Sequence, residues 1–153
     1  MYNGRKVYAI VLAAGSGRRM HSKTKKQFME ILGRPLFSWS ASRFDQHSAV
    51  DGIILTTGEE DIPYMKELTQ ADGAYPLEKL SAIVAGGKER YNSVFEGLKK
   101  VAALEKLDTT SSETGVTPSG TSDPLIMIHD CARPMLTDAI IDDALHYAEK
   151  YHA

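Results

Sequence analysis

The sequence predicts an α/β fold with a mainly parallel sheet covered by helices on both faces. Three observations carry this. Short apolar runs alternate with longer segments of helical periodicity, several of the runs end in glycines, and 153 residues at 42% hydrophobic suffice to bury one ordinary core. Repeated strand and helix units demand right-handed crossovers and helices on both sides of the sheet.

Each element has its own signal. Residues 6–13 form an apolar run that stops at glycines, which makes them the first strand. Residues 35–44 open on a helix-starting proline and carry Leu36, Phe37, Ala41 and Phe44 along one side, so a helix follows. Residues 50–56 read as the second strand, and residues 59–71 as a helix with Ile62, Met65 and Leu68 on one face. A third strand, residues 80–85, ends at Gly86 and Gly87. The longest helix, residues 89–107, then presents Val94, Leu98, Val101 and Ala102 to the core. Residues 125–128 are the fourth strand, with His129 and Asp130 after it, and Ile140, Ile141, Ala144, Leu145 and Ala148 stripe the last helix. Trp39 and Phe44 are expected in the core. The polar run over residues 108–124 cannot pack and is expected to be a mobile loop.

Charge is distributed unevenly. Of 18 Lys+Arg, five (Arg18, Arg19, Lys23, Lys25 and Lys26) crowd the turn after the first strand, while 20 Asp+Glu lie elsewhere. One basic turn on a mildly acidic chain suits a small anionic ligand, and not the broad basic face that nucleic acid or a membrane surface requires. The competing account of the turn is a solvated basic loop. No apolar run reaches membrane-spanning length, and the amino terminus leads into a strand without a signal-like segment, so a cytoplasmic protein is expected. The single Cys131 excludes an internal disulfide, and the five histidines show no zinc spacing.

Ligands of such sheets bind beyond the carboxyl ends of the strands. Gly15-Ser16-Gly17, Gly86-Gly87 and His129-Asp130 all fall at that edge and can converge on one site. Glycines there let main-chain N–H groups approach an anion without a Cβ in the way. The first turn is neither a dinucleotide fingerprint, since Met20 replaces the third glycine, nor a P-loop, which ends in Gly-Lys-Ser/Thr.

AAGSGRRM followed by KQF, then AGGKERYNSV with EGL, then IHDCARP, in this order, resemble the 2-C-methyl-D-erythritol 4-phosphate cytidylyltransferases of the non-mevalonate isoprenoid pathway, from Tyr8 to about Ala148. The resemblance implies a Rossmann-like three-layer sandwich of nucleotidyltransferase type. It implies that Ala13, Ala14, Gly15 and Gly17 wrap CTP, that Arg19 and Lys26 contact the phosphates and stabilise the transition state, and that Gly87, Ser93 and the main chain of Lys88 read cytosine. Asp130 would hold the divalent metal, normally Mg2+, Cys131 would lie against the ribose, and Arg133 would support the site. The implied partners are CTP and a polyol phosphate, with a homodimer in the family. Alternatives stand beside several roles: Asp130 as a helix cap, Ser93 as a first-turn hydroxyl, Cys131 as a small packed side chain, and His129 as a structural residue.

The chain also departs from the family pattern. Lys25 stands where relatives usually have proline before Lys-Gln, which either loosens the loop or adds a phosphate contact; Cys131 stands where alanine is commoner. Family members continue beyond the position of Ala153, so residues 1–153 are expected to form a single but incomplete nucleotide-binding domain, inactive alone and prone to associate through its fourth strand. Two other readings remain at this point. Ribitol-5-phosphate cytidylyltransferases are similar through the first motif, and a non-catalytic nucleotide-binding remnant would carry the same residues.

Overall fold

A computed structural model describes residues 1–15, 24–106 and 123–151. Four strands, β1 (Val7–Ala13), β4 (Gly52–Thr57), β5 (Leu80–Ala85) and β6 (Leu125–Asp130), form one parallel sheet in the order β5-β4-β1-β6. A two-stranded hairpin, β2 (Glu30–Ile31) with β3 (Arg34–Pro35), lies outside it. Helices α1 (Leu36–Gln46), α2 (Ile62–Thr69), α3 (Arg90–Glu105) and α4 (Asp138–Tyr151) complete the chain.

Alternation along β1 divides the core in two. Val7, Ala9, Val11 and Ala13 pack with Phe37, Ala41 and Phe44 of α1, Met65 of α2, and Ile141 and Leu145 of α4. Tyr8, Ile10 and Leu12 face the other way, against Val94, Leu98 and Val101 of α3. The result is three layers, with β1 buried along its whole length, as a strand covered on both faces must be. Contact is close on the α3 side: a Cβ at Gly97 would lie 2.7 Å from Ile10 Cγ2, so the helix sits directly on the strand.

Helix boundaries have local causes. A capping box starts α3: the Glu89 side chain accepts from the N3 backbone, and Asn92 Oδ1 accepts from the Glu89 N–H at 3.2 Å. Lys106 ends it in the left-handed conformation, φ 55°. The segment expected as one helix over residues 59–71 is a one-turn 3₁₀ helix, Glu59–Asp61, leading into the shorter α2 with Pro63 in its first turn.

Other differences from the sequence reading are specific. The fourth strand runs through His129 and Asp130 because both stay in register with β1, at Val11 and Leu12. Trp39 is half-buried, not core, and lies under the Arg34 guanidinium, 4.9 Å from the ring centroid. Phe44 is core, 2% exposed. The hairpin turns through Leu32 and Gly33, both at positive φ. Apart from Asp123 and Pro124, the loop expected over residues 108–124 lies outside the described residues. Among the described residues β6 is an edge strand, and Ile128 on it is exposed.

Glu105, at the end of α3, ties that helix to the sheet by accepting from the Tyr8 hydroxyl and from Lys6 Nζ at 2.9 Å. These partners, Tyr8 first, hold the Glu105 carboxyl below its ordinary value. Burial, then the carboxylate, pushes the Tyr8 phenol up to about 12. Glu105 therefore contributes stability above the usual carboxylate range and loses it as pH falls through the lowered value. The Tyr8 contribution is complete below its ordinary value of 10.0 and is lost as pH rises towards 12. Urea unfolding of Glu105→Gln should show a deficit at about pH 7 that shrinks at about pH 3. A deficit independent of pH would mean that the carboxylate charge contributes nothing.

Candidate functional site at the carboxyl edge of the sheet

Three segments meet beyond the strand ends. Ala13 closes β1, and Ala14 and Gly15 follow it. On the β5 side, the Gly86 N–H donates to Thr57 O at 2.7 Å, carrying the ladder one residue past the strand. A Cβ on Gly86 would run into the Ala14 side chain and lie 2.7 Å from Ser93 Oγ. Ala14, Gly86 and Ser93 therefore converge, and glycine is required because nothing larger fits between them. Gly87 is similarly confined: a Cβ there would collide with Asn92. Ser93 is 4% exposed, whereas Lys88 is exposed.

Register with β1 sets the other side of the site. Asp130 stands beside Leu12, and the Cys131 N–H donates to Leu12 O at 3.1 Å. The Asp130 carboxylate is held by two arginines: Oδ1 lies 3.1 Å from Arg90 Nε and Oδ2 lies 3.5 Å from Arg133 Nε. These contacts, not a helix amino terminus, occupy its side chain. Arg90 is the first residue of α3, so this pair links the glycine pair after β5 to the end of β6 across the sheet.

Lys26 begins a 3₁₀ turn, Lys26–Phe28, on the α1 side. Its charge acts on the Cys131 thiol, but burial dominates and pushes that thiol up to about 12. At 5% exposed, Cys131 is a packed side chain and not a nucleophile. His129 Nε2 lies 3.0 Å from Arg133 O, and its ring meets Phe44 edge-on at 5.6 Å, a structural placement.

The neighbouring Lys25 behaves unlike either expectation for it. Its ammonium pairs with Glu60 Oε1 at 2.5 Å and Asp61 Oδ2 at 2.6 Å, so the segment is tied down and this cation is already spent on carboxylates. The two acids, Asp61 first, hold the lysine above its ordinary value, and the lysine holds the Glu60 carboxyl below its own.

The structure thus brings together Ala14, Ser93 and the glycine pair, and separately Asp130, Arg133 and the Cys131 backbone, with Lys26 near Cys131. Gly17 and Arg19 lie outside the described residues. Sequence reasoning missed Arg90, whose only signal is a cation in the first turn of the helix after the glycine pair. It also missed Thr57, whose hydroxyl is buried at the strand end without a hydrogen-bond partner among the described residues.

A family model described as 2-C-methyl-D-erythritol 4-phosphate cytidylyltransferase matches residues 7–153. The chain belongs to this family. It is 37% identical over 144 residues to the cytidylyltransferase of Clostridium botulinum strain Loch Maree, and 38% identical over 146 residues to that of Clostridium kluyveri. These alignments cover 94% and 95% of this chain but 54% of each relative, so the chain spans about half the length of the cytidylyltransferases it matches. Among solved structures it resembles the 4-diphosphocytidyl-2C-methyl-D-erythritol synthase of Anaerococcus prevotii, with a TM-score of 0.66 and 26% identity over 97% of this chain and 52% of that one. A likeness at 21% identity and TM-score 0.62 to the Francisella tularensis cytidylyltransferase supports the fold.

A divalent cation at Asp130 would find few other protein ligands beside it among the described residues. Among the described residues no group of three or more His, Cys, Asp or Glu side chains gathers at one point. Magnesium, however, commonly uses one or two carboxylates and completes its shell with substrate phosphates and water. A single, partly exposed carboxylate fits a cation that would arrive with a triphosphate.

Proposed function

We propose that the chain forms a nucleotide-binding domain that takes part in transferring a cytidylyl group from CTP to 2-C-methyl-D-erythritol 4-phosphate, with release of pyrophosphate, in the cytoplasm. The observation that carries this is that Ala14, Gly86 and Ser93 converge at the same edge of the sheet on which the Asp130 and Arg90 pair lies. That edge is where a parallel α/β sheet accepts ligands.

In this reading Ala13, Ala14, Gly15 and Gly17 wrap the nucleotide, while Gly87, Lys88 and Ser93 read the base. An oxygen of the acceptor phosphate forms the new bond to the α-phosphorus of CTP. The bond from that phosphorus to the β-bridging oxygen breaks, and pyrophosphate leaves with the electron pair. No general base is needed, because a phosphate monoester with a second pKa of ~6 is already largely ionised at neutral pH. The task for the protein is to neutralise charge that grows on the α-phosphate, and Lys26 and Arg19 supply the cations for it. Asp130 would hold Mg2+, whose contribution when bound is further neutralisation of phosphate charge. Arg133 and Arg90 keep that carboxylate oriented, and Cys131 packs near the ribose. No helix among the described residues is long and apolar enough to cross a membrane.

Nucleotide preference tests the proposal. Uracil presents a carbonyl where cytosine presents an amine, so a fixed main-chain acceptor meets a second acceptor, at a cost of ~1–3 kcal/mol. Calorimetric titration in the presence of Mg2+ should show CTP binding ahead of UTP by about 5- to 150-fold. Equal affinity for the two would remove the cytidylyl assignment.

A further inference from the structure

Lys25 and Lys26 are adjacent, yet their side chains are used differently. Lys25 is gripped by Glu60 and Asp61, and the Asp61 side chain is only 14% exposed. Both acids sit in the turn directly after β4, and Gly58 makes room for them. A Cβ there would come within 2.9 Å of Asp61 Oδ2 and 3.1 Å of Glu60 Oε2. The other side of the segment is held by Gln27, 2% exposed, and by Phe28, which meets Phe37 and Tyr64 edge-on. Lys26 has no ion-pair partner among the described residues, and its charge reaches Cys131. The Lys25 backbone lies at φ −61°, the value that a proline ring would impose.

We propose that Lys25 is a positioning residue: its two-carboxylate clamp fixes the backbone that carries Lys26. It is not a phosphate ligand. The role of Lys26 rests on the cytidylyltransferase reading; the clamp itself does not. A side-chain ion pair here does by charge what a ring does covalently, holding one backbone angle at the entrance to the turn.

Two readouts on the 153-residue chain test this: amide hydrogen exchange at Phe28 and Met29, which donate to Lys25 O and Lys26 O at 2.9 and 3.1 Å, and calorimetric titration with CTP and Mg2+. Lys25→Ala and the double variant Glu60→Gln/Asp61→Asn should each speed exchange and weaken CTP binding by about fivefold. Lys25→Pro should restore both, although it has no charge. If Lys25→Pro binds CTP as weakly as Lys25→Ala, or the carboxylate variant binds it more tightly, Lys25 contacts phosphate and the proposal fails. Unchanged exchange in all variants would equally remove the clamp. Failure of the unaltered chain to bind CTP would count against the cytidylyltransferase reading, while the exchange measurements would still decide the clamp.

Discussion

Lys26→Ala is expected to lower the rate of pyrophosphate release from CTP and methylerythritol phosphate by ~10²–10³, with a smaller change in the KM for CTP. The split follows from where charge appears. The α-phosphate gains negative charge only on the way to the transition state, so a cation aimed there stabilises that state more than the bound substrate. Lys26 is suited to this because its neighbour Lys25 takes up the nearby carboxylates. The assay is to be made on whatever length of protein turns over, with Lys26→Arg beside it. A loss confined to KM would make Lys26 a ground-state phosphate binder, and no loss would dismantle the site.

Phe37→Ala should produce the largest loss of stability. Its side chain is 0% exposed, at the junction of α1 with the sheet, and contacts Phe28 and Tyr75 edge-on at 6.2 and 6.4 Å. Removing such a ring costs ~3–5 kcal/mol in transfer free energy and residual cavity. That is a large part of the ~5–15 kcal/mol that holds a typical domain folded. Thermal unfolding should move down by about 10–20 °C. Since Phe28 loses a neighbour, CTP binding should weaken even where the variant remains folded. A shift of only a degree or two would show that the surrounding side chains collapse into the space.

The main strands and helices were legible because burial on both faces leaves a simple imprint. The third strand was read with the bounds it has, Leu80–Ala85, since an apolar run there is punctuated by glycines. The hairpin was not legible. Its two-residue turn is Leu32-Gly33, with leucine at φ 52° where Asn or Asp would have announced it. The ends of elements were blurred where tertiary pairing decides them, as at His129 and Asp130, which remain in the strand because β1 is there to pair with. Of the candidate site, the glycines and Asp130 could be read because their chemistry is local. Arg90 and the Lys25 clamp could not, because each depends on a partner about 35 to 40 residues away whose proximity only the fold creates.

The position of β1 has a consequence for how the protein is made. It precedes the other described strands in the chain, yet its neighbour β6 pairs Val7 with Leu125 and is the last strand described. Until that segment emerges, one side of β1 lacks its native partner, and Asp130 does not yet stand beside Leu12. Long-range parallel pairing is slow and leaves apolar strand edges open in the interim. The Asp130 side of the candidate site therefore forms only after β6 has been made, when two strands far apart in the chain come together. A nascent chain stalled before residue 125 could hold α1 and α3 against β1 and β4 and still lack the Asp130 side of the candidate site.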